Sequence, residues 1–454
     1  MTDITDRYGA LLYIEPDSKY TLTASTDNAY NSTATKFVHV GEAVYLSCYS
    51  DSKHTGTGVI TAIEGTGYTV RVLSGEFLIG ETVNVSPLIT LGHGTPVWYY
   101  QDNELIGKFY IDSVERTGHV RYRLNCVSAI GLLDAAEHGG GMFASSTFGA
   151  VLSHILAGGL HGTGDPIIDY EIDDDAAVLP VSGWLPRDTK RNNLYRLVFA
   201  SGVNIVKNAD GNPRFTFLYP AAAQPAAIDP ERVYDEGQVT YETPYSRVVV
   251  LEHTYTPLAA GEPVTLFDNT DGDPVTAAEI WFDQAPVIVS TLDTTGTLTV
   301  VSATENSAVL TGAGALTGVP YLHDTRGVSM GDASAPEEKT IRVDEATFVN
   351  VLNSENLLLR LYAFYCRENY IEKISNGIVW DGERCGKIYS FVDPYDGSAG
   401  AFLARMSITA SAVNKASCEW YADYEPAGQA GLYRHCIILD SATIEEDGGY
   451  FNVP

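Results

Sequence analysis

Residues Lys108 to Ala129 read "KFYIDSVERTGHVRYRLNCVSA". In the second half the apolar residues Val120, Tyr122, Leu124 and Cys126 alternate with Arg121, Arg123 and Asn125, a period of two that belongs to a strand with one covered face. "KFYIDSV" alternates in the same way, and the intervening "ERTG" supplies turn residues. The stretch therefore predicts a hairpin in a substantial antiparallel sheet.

Strand texture extends outward from this hairpin. Between Val38 and Val85 the segments "VHVGEAVYLSCYS", "GTGVITAIEGTGYTVRVLS" and "FLIGETVNVS" read as short strands joined by turns, a small SH3-like barrel inserted in a larger domain. Strands return at Tyr245–Tyr255 ("YSRVVVLEHTY"), in "VTAAEIWFDQAPVIVSTL" and in "TLTVVSATENSAVLTGAGALTGVPYL". "GVSMGDASAPEEKT" (Gly327 to Thr340) reads as a loop or linker. The last sheet is read in "GKIYSFVDPY", "AFLARMSITASAVNKASCEWYADYEP" and "GLYRHCIILDSATI".

Helical spacing interrupts this pattern in three places. Phe148, Val151, Leu152, Ile155 and Leu156 lie on one helical face, with Ser145 or Ser146 as cap and Gly158–Gly159 as stop. Arg187 to Gly202 predicts a second helix, capped by Asp188 or Thr189, with Leu194, Leu197 and Val198 inward. "VNIVKNADGNPRFTFLYP" then reads as a hairpin turned at Asp210 and Gly211, closing an α/β unit. The third helix is read over the whole of Ser354–Ile374, with Leu357, Leu361, Phe364 and Tyr365 on one face.

Composition sets the outer limits. A chain of 454 residues with 45% hydrophobic content fills more than one domain core, and 28 tyrosines and 42 glycines favour strands and tight turns. Only 28 Lys and Arg oppose 58 Asp and Glu, a formal charge of −30 that repels nucleic acid and anionic membrane. The six cysteines (48, 126, 366, 385, 418 and 436) include no CxxC pair, which argues against zinc, and their low density fits reduced thiols. The polar start "MTDITDRYGALLYI" lacks a signal pattern, and no apolar run approaches the roughly 18 residues of a membrane span. Synthesis in the cytoplasm without a membrane span is the expectation.

No motif assembles a reaction centre. "DNTDGD" (Asp268 to Asp273) fails as a calcium loop, because Phe267 stands where an EF-hand places its first acid before the glycine, and it reads as a polar turn. "EIDDDA" (Glu171 to Ala176) reads as a solvated turn. "GGGM" precedes a helix but lacks the Lys and Ser/Thr of a phosphate loop, and no nucleophile elbow occurs. His435 beside Cys436 reads as strand packing. In "VWDGERCGKIYSFVDPYDG" (Val379 to Gly397), Asp381–Gly382 and Pro394–Gly397 read as turns around the strand "KIYSFV", and Glu383 and Cys385 have no partner identifiable from spacing. No catalytic, cofactor-binding or metal-binding residue is therefore expected, and no cofactor.

The order of segments is more informative. "ELIGKFYIDSVERTGHVRYRLNCVSAIGLLD", "GGMFASSTFGAVLSHILAGG", "DTKRNNLYRLVFASGVNIVKNADGNPRFTF", "IVWDGERCGKIYSFVDPYDG" and "ADYEPAGQAGLYRHCIIL" follow one another. This succession resembles the baseplate hub (tail-tip hub) proteins of phage tails and phage-tail-like contractile injection particles, over roughly 94–222 and 355–440. In that family a sheet with G-x-F-Y-I-D, here Gly107 to Asp112, precedes a helix-bearing domain.

The resemblance implies a mainly β, multidomain fold with a smaller α+β part. Two tail-tube-like β-barrel domains would span 1–135 with 225–255, and 256–440. The first would contain the 38–90 insertion. A peripheral α/β domain would occupy 140–222 and a C-terminal tail 441–454. It also implies a structural, non-enzymatic homotrimer, a ring that adapts the sixfold tail tube to the threefold tip or spike and forms part of the central channel. Its partners would be the tail tube protein, the spike or tip protein, surrounding baseplate proteins and the tape-measure protein, with no sequence-specific nucleic-acid binding. The product would be assembled into a virion tail or an extracellular tail-like particle. The rival readings are a tail-tip carbohydrate-binding or adhesin module, suggested by "VWYY" and "EWYADY", and a cell-wall-degrading enzyme. The short stretch after "CIIL" is expected to hold no lytic domain.

Overall fold

The hairpin at 108–129 is present in the computed structural model: Glu104–Arg116 runs antiparallel to Tyr122–Val127, with a bulge between Ile111 and Ser113 at which Asp112 and Ser113 are both exposed, while Tyr110 and Ile111 before it are buried. The structure describes residues 10–11, 18–21, 25–26, 29–33, 43–48, 55–64, 67–75, 82–87, 93–101, 104–116 and 122–208. It further describes 210–217, 226–258, 260–366, 371–383, 385, 387–392, 398–409 and 414–422. The Pro394–Gly397 turn, His435–Cys436 and the tail 441–454 lie outside these residues. The fold is mainly β with a smaller helical part, as the alternating texture predicts.

The chain divides into two units between Val127 and Ser128. In the first, the hairpin belongs to a four-stranded sheet with Pro96–Gln101 and Ala10–Leu11. A seven-stranded sheet follows the order 18–21, 82–87, 43–48, 55–64, 67–74, 29–33, 25–26. Val44, Leu46, Ile60 and Val70 are its buried apolar side chains among the described residues. Ser18–Thr21 pairs with 82–87 and Ala29–Thr33 with 67–74, so this sheet begins before the expected boundary at Val38.

The second unit opens with an α/β part. It holds α1 (Ala129–Leu132), α2 (Phe148–Leu156), α3 (Asp174–Ala177) and α4 (Lys190–Ser201). The Thr147 hydroxyl caps α2, accepting from the Ala150 amide, in place of the expected Ser145 or Ser146. Those serines belong to the strand Gly141–Thr147, which pairs with Pro180–Leu185: Ser145 sits in a bulge with φ +53 and Ser146 pairs with Val181, so the helix starts only after Thr147. Thr189 caps α4, and Gly202 ends it with φ +73. Leu194, Leu197 and Val198 are buried as the helical spacing predicts. Strands Asn204–Lys207 and Pro213–Thr216 form the expected hairpin.

Three further β assemblies complete the unit. Residues 262–320 hold two three-stranded sheets, one from 264–268, 315–318 and 293–294, the other from 275–281, 307–312 and 299–303. They enclose Phe282, Val287, Leu298, Ala308, Leu310 and Leu316. Arg247–Thr256 is the centre of a second assembly between Leu322–Gly331 and Thr340–Val343. The stretch expected to be a linker thus begins as a paired strand. A six-stranded sheet follows the order 226–227, 388–392, 398–409, 415–422, 371–379, 233–242. The described pairing of 233–242 is therefore with Ile371–Val379, where the sequence grouping placed 225–255 with 1–135.

Helix α5 covers Ser354–Tyr365 and ends far short of the expected Ile374. Ile374, Asn376 and Ile378 are buried at strand spacing, and Asn376–Gly377 disfavours helix. Asn376 also accepts at 2.8 Å from the indole of Trp420, which packs its ring on Tyr389 and Phe391. Trp420 is 1% exposed. Trp420→Ala is expected to cost about 3–5 kcal/mol, read as a fall in the thermal or denaturant midpoint; a loss under about 1 kcal/mol would show that the aromatic cluster does not hold this sheet.

Candidate functional site

The polar groups that stand out in the second unit are fasteners between segments distant in sequence. Asn306 is fully committed. Its Nδ2 donates to the carbonyls of Gly139 (2.8 Å) and Leu185 (3.0 Å), and its Oδ1 accepts from the Trp184 indole at 2.8 Å. The residue is 2% exposed, so both amide hydrogens and the carbonyl are satisfied without water. This ties the 304–307 turn to the α/β part. Glu305 adds a long contact to the Met142 amide. Gly140, with φ +71, has no room for a side chain here, since a Cβ would lie 2.4 Å from Asn306 Nδ2 and 2.1 Å from the Leu185 oxygen.

Beside this joint lies a buried histidine cluster. His138 Nδ1 meets Asn193 Nδ2 at 2.9 Å, and its Nε2 meets His154 Nδ1 at 2.9 Å. Lys190, 1% exposed, donates to the Gly159 carbonyl at 3.1 Å. His161 Nε2 contacts Glu279 Oε1 at 2.7 Å, where Ser307 Oγ also donates, and its ring stacks on Trp281 beneath the Arg187 guanidinium. Burial pulls the His138 imidazole down to about 3, with His154, Lys190 and His161 adding like charge. His154 is lowered by burial and then by Lys190 and His161, and burial lowers Lys190. The cluster is thus held neutral at its centre. A buried neutral imidazole is an anchor here, with no nucleophile bonded to it.

Two more fasteners use ion pairs. Glu252, 4% exposed, receives Arg326 through Nε (2.7 Å) and Nη2 (2.6 Å) and the Ser354 hydroxyl at 2.6 Å, which joins 247–256, 322–331 and the start of α5. Glu383, 5% exposed, pairs with Arg232, accepts from the Asp381 amide at 2.8 Å, and offers its backbone carbonyl to the Trp380 indole. Arg232 also donates twice to the Val379 carbonyl. The acid that had no partner by spacing has one 151 positions upstream. Asp381 and Gly382 form the expected bend, and Cys385 packs against the Phe364, Ile371 and Phe402 cluster.

The other acidic segments take structural places too. Asp268 accepts from the Thr270 amide and hydroxyl, and the Gly272 amide donates to the Asn269 carbonyl, so "DNTDGD" is an internally bonded turn. "EIDDDA" departs from a solvated turn: Glu171–Ile172 is a strand, α3 follows, and Asp173 bonds Arg214 and Thr216, which hold its carboxyl below the usual range. Among the described residues no cluster of three or more His, Cys, Asp or Glu has metal-holding geometry, and no helix is long and apolar enough to cross a membrane. None of the fasteners was legible from spacing, since Asn306 and Gly139 lie 167 positions apart and each looks unremarkable in its own segment.

No family model and no curated protein matches the chain. Among solved structures it is similar to a tail protein from Neisseria meningitidis MC58, at 10% identity over 94% of this chain and 98% of that one, TM-score 0.41. A 43 kDa tail protein of prophage MuSo2 from Shewanella oneidensis is similar at 8% identity over 89% and 98%, TM-score 0.41. The virion of a native gene transfer agent particle contains a chain similar at 9% identity over 94% and 88%, TM-score 0.35.

Replacing Asn306 isolates the joint. Asn306→Ala leaves the Gly139 and Leu185 carbonyls and the Trp184 indole unpaired, and is expected to destabilise by about 3 kcal/mol or more. Asn306→Asp is expected to be worse, because a carboxylate would face two carbonyl oxygens. Thermal denaturation followed by tryptophan fluorescence checks both; equal stability of Asn306→Asp and the parent chain would contradict the joint.

Proposed function

We propose that the chain is a structural protein of a phage tail or tail-like particle, and that its place there is the baseplate hub. In this reading three copies form a ring that adapts the sixfold tail tube to the threefold tip or spike and lines part of the channel. The observation that carries the reading is the order of the sequence blocks, now seen as secondary structure. The "ELIGKFYIDSV" hairpin sheet comes first, an α/β part next, and the sheet containing "KIYSFV" last.

Two features of the fold support ring formation. Val233–Glu242 and Leu322–Gly331 are ten-residue strands at the ends of their sheets among the described residues, with a row of backbone donors and acceptors turned outward. A cyclic assembly offers such edges a neighbouring copy. The formal charge of −30 supports the channel role, because a wall that repels a polyanion does not trap it. Tube, spike, surrounding baseplate and tape-measure proteins are the partners that follow, and a virion or extracellular tail-like particle is the destination.

Sedimentation or light-scattering mass of the purified chain is expected to give three copies, and negative-stain images a ring with a central opening. A stable monomer that joins neither tube nor spike protein would overturn the hub assignment. Release of sugars or peptides from purified peptidoglycan would overturn the non-enzymatic one.

A further inference from the structure

Hydrogen-bond direction in the histidine cluster can be followed link by link. Arg196 Nη1 is anchored on Asp188 Oδ2 at 2.6 Å and donates to Asn193 Oδ1 at 2.9 Å. That fixes the Asn193 amide, whose Nδ2 must then donate, to the Pro186 carbonyl at 2.9 Å and to His138 Nδ1. His138 Nδ1 is therefore an acceptor, its one ring proton sits on Nε2, and that proton is given to His154 Nδ1. His154 in turn carries its own proton on Nε2. Neither ring can take another proton at Nδ1 without setting two N–H groups against each other.

The rest of the surroundings are unfavourable to added charge. Lys190 on α4 and His161 on the 158–165 turn both contribute like charge at His138 and His154. Glu279 faces His161, and Asp188 spends its oxygens on Arg196, Asn192 and the Thr189 amide. The edge of Phe143 and the Gly162 backbone close the His154 ring.

A second histidine pair makes the contrast. His253 Nε2 lies 3.0 Å from the Asp344 carbonyl and so must donate, which leaves its Nδ1 to accept from His323 Nε2 at 3.0 Å. His323, the exposed ring of this pair, therefore donates the shared bond, whereas His154 accepts the one it shares with His138.

We propose that the Arg196–Asn193–His138–His154 chain is an acid-released latch, which holds 137–141 on α2 and α4 while both rings are neutral and frees it when either ring gains a proton. The 137–141 segment is the one that carries the Gly139 carbonyl held by Asn306, so its release also loosens the joint to 262–320. Sign and window follow from the depressed histidines. Opening restores an ordinary midpoint near 6.5, so the closed state is fully favoured above that pH and loses ground as pH falls toward about 3. From pH 7.5 to 5.0, His138 alone raises the opening equilibrium roughly 30-fold.

Hydrogen exchange of the full chain tests this, with rates at 137–141 corrected for intrinsic pH dependence. The expected result is a rise in opening between pH 7.5 and 5.0 greater than the roughly 30-fold of His138 alone, because His154 is lowered as well. His154→Asn keeps an acceptor at the δ position that cannot ionise, and should show a smaller rise; His323→Asn should match the parent chain. No rise in the parent chain, an equal rise in His154→Asn, or loss of the rise in His323→Asn would overturn the latch. Should His154→Asn fail to fold at pH 7.5, nitrogen-15 spectra of the parent chain decide. His138 and His154 as neutral Nε2–H tautomers at pH 6.0 would support the latch, and ordinary titration near 6.5 with 137–141 still protected would overturn it.

Discussion

A buried amide must find partners for two hydrogens and an oxygen, and in the second unit this requirement fixes how three segments meet. Asn306 can satisfy itself only if Gly139, Leu185 and Trp184 all arrive at their observed positions. Apolar packing tolerates sliding, because its energy varies slowly with position. A triply bonded amide does not, since a shift of an ångström leaves a polar atom dry and unpaired. Gly140 belongs to the same requirement, because only a residue without a side chain lets the 139–141 backbone reach the amide.

The same logic recurs wherever the unit joins distant parts. Glu252 gathers Arg326 and Ser354, Glu383 gathers Arg232 and the Asp381 amide, and Arg360 donates to the Phe199 carbonyl near the end of α4. That last bond places a cation at the negative end of a helix dipole. With 58 acidic residues the chain has carboxylates in excess, and those it buries among the described residues are paired with guanidinium groups. Such pairs add little net stability beyond an apolar alternative, yet breaking one side strands a buried charge. They act chiefly to select one arrangement.

What the sequence disclosed follows from the range of the interaction responsible. Period-two alternation at 108–129 and helical spacing at 148–156 and 190–201 are local, and the hairpin and both helices stand where those patterns put them. The overlong third helix failed because Ile371 and Ile374 continue helical spacing, and the strand was selected by the 415–422 and 233–242 neighbours. Strand partnership was illegible for the same reason: nothing within 233–242 says that 371–379 will pair with it. The fasteners were hidden further still, since a lone Asn or Glu carries no period and its partners lie more than a hundred positions away.

Histidine shows how one residue type can be structural in two different ways. His253 and His323 share a bond whose outer ring reaches solvent. His138 has no such outlet, being fully buried with both nitrogens engaged. The difference is not in the ring but in what fixes its tautomer. An Asn oriented by Arg196 forces His138 to accept, whereas the Asp344 carbonyl forces His253 to donate. Direction along a hydrogen-bond chain is set at its anchored end, and the far end inherits the consequence. A guanidinium on the surface of α4 thereby determines which nitrogen of His154 carries its proton, two residues and three bonds away.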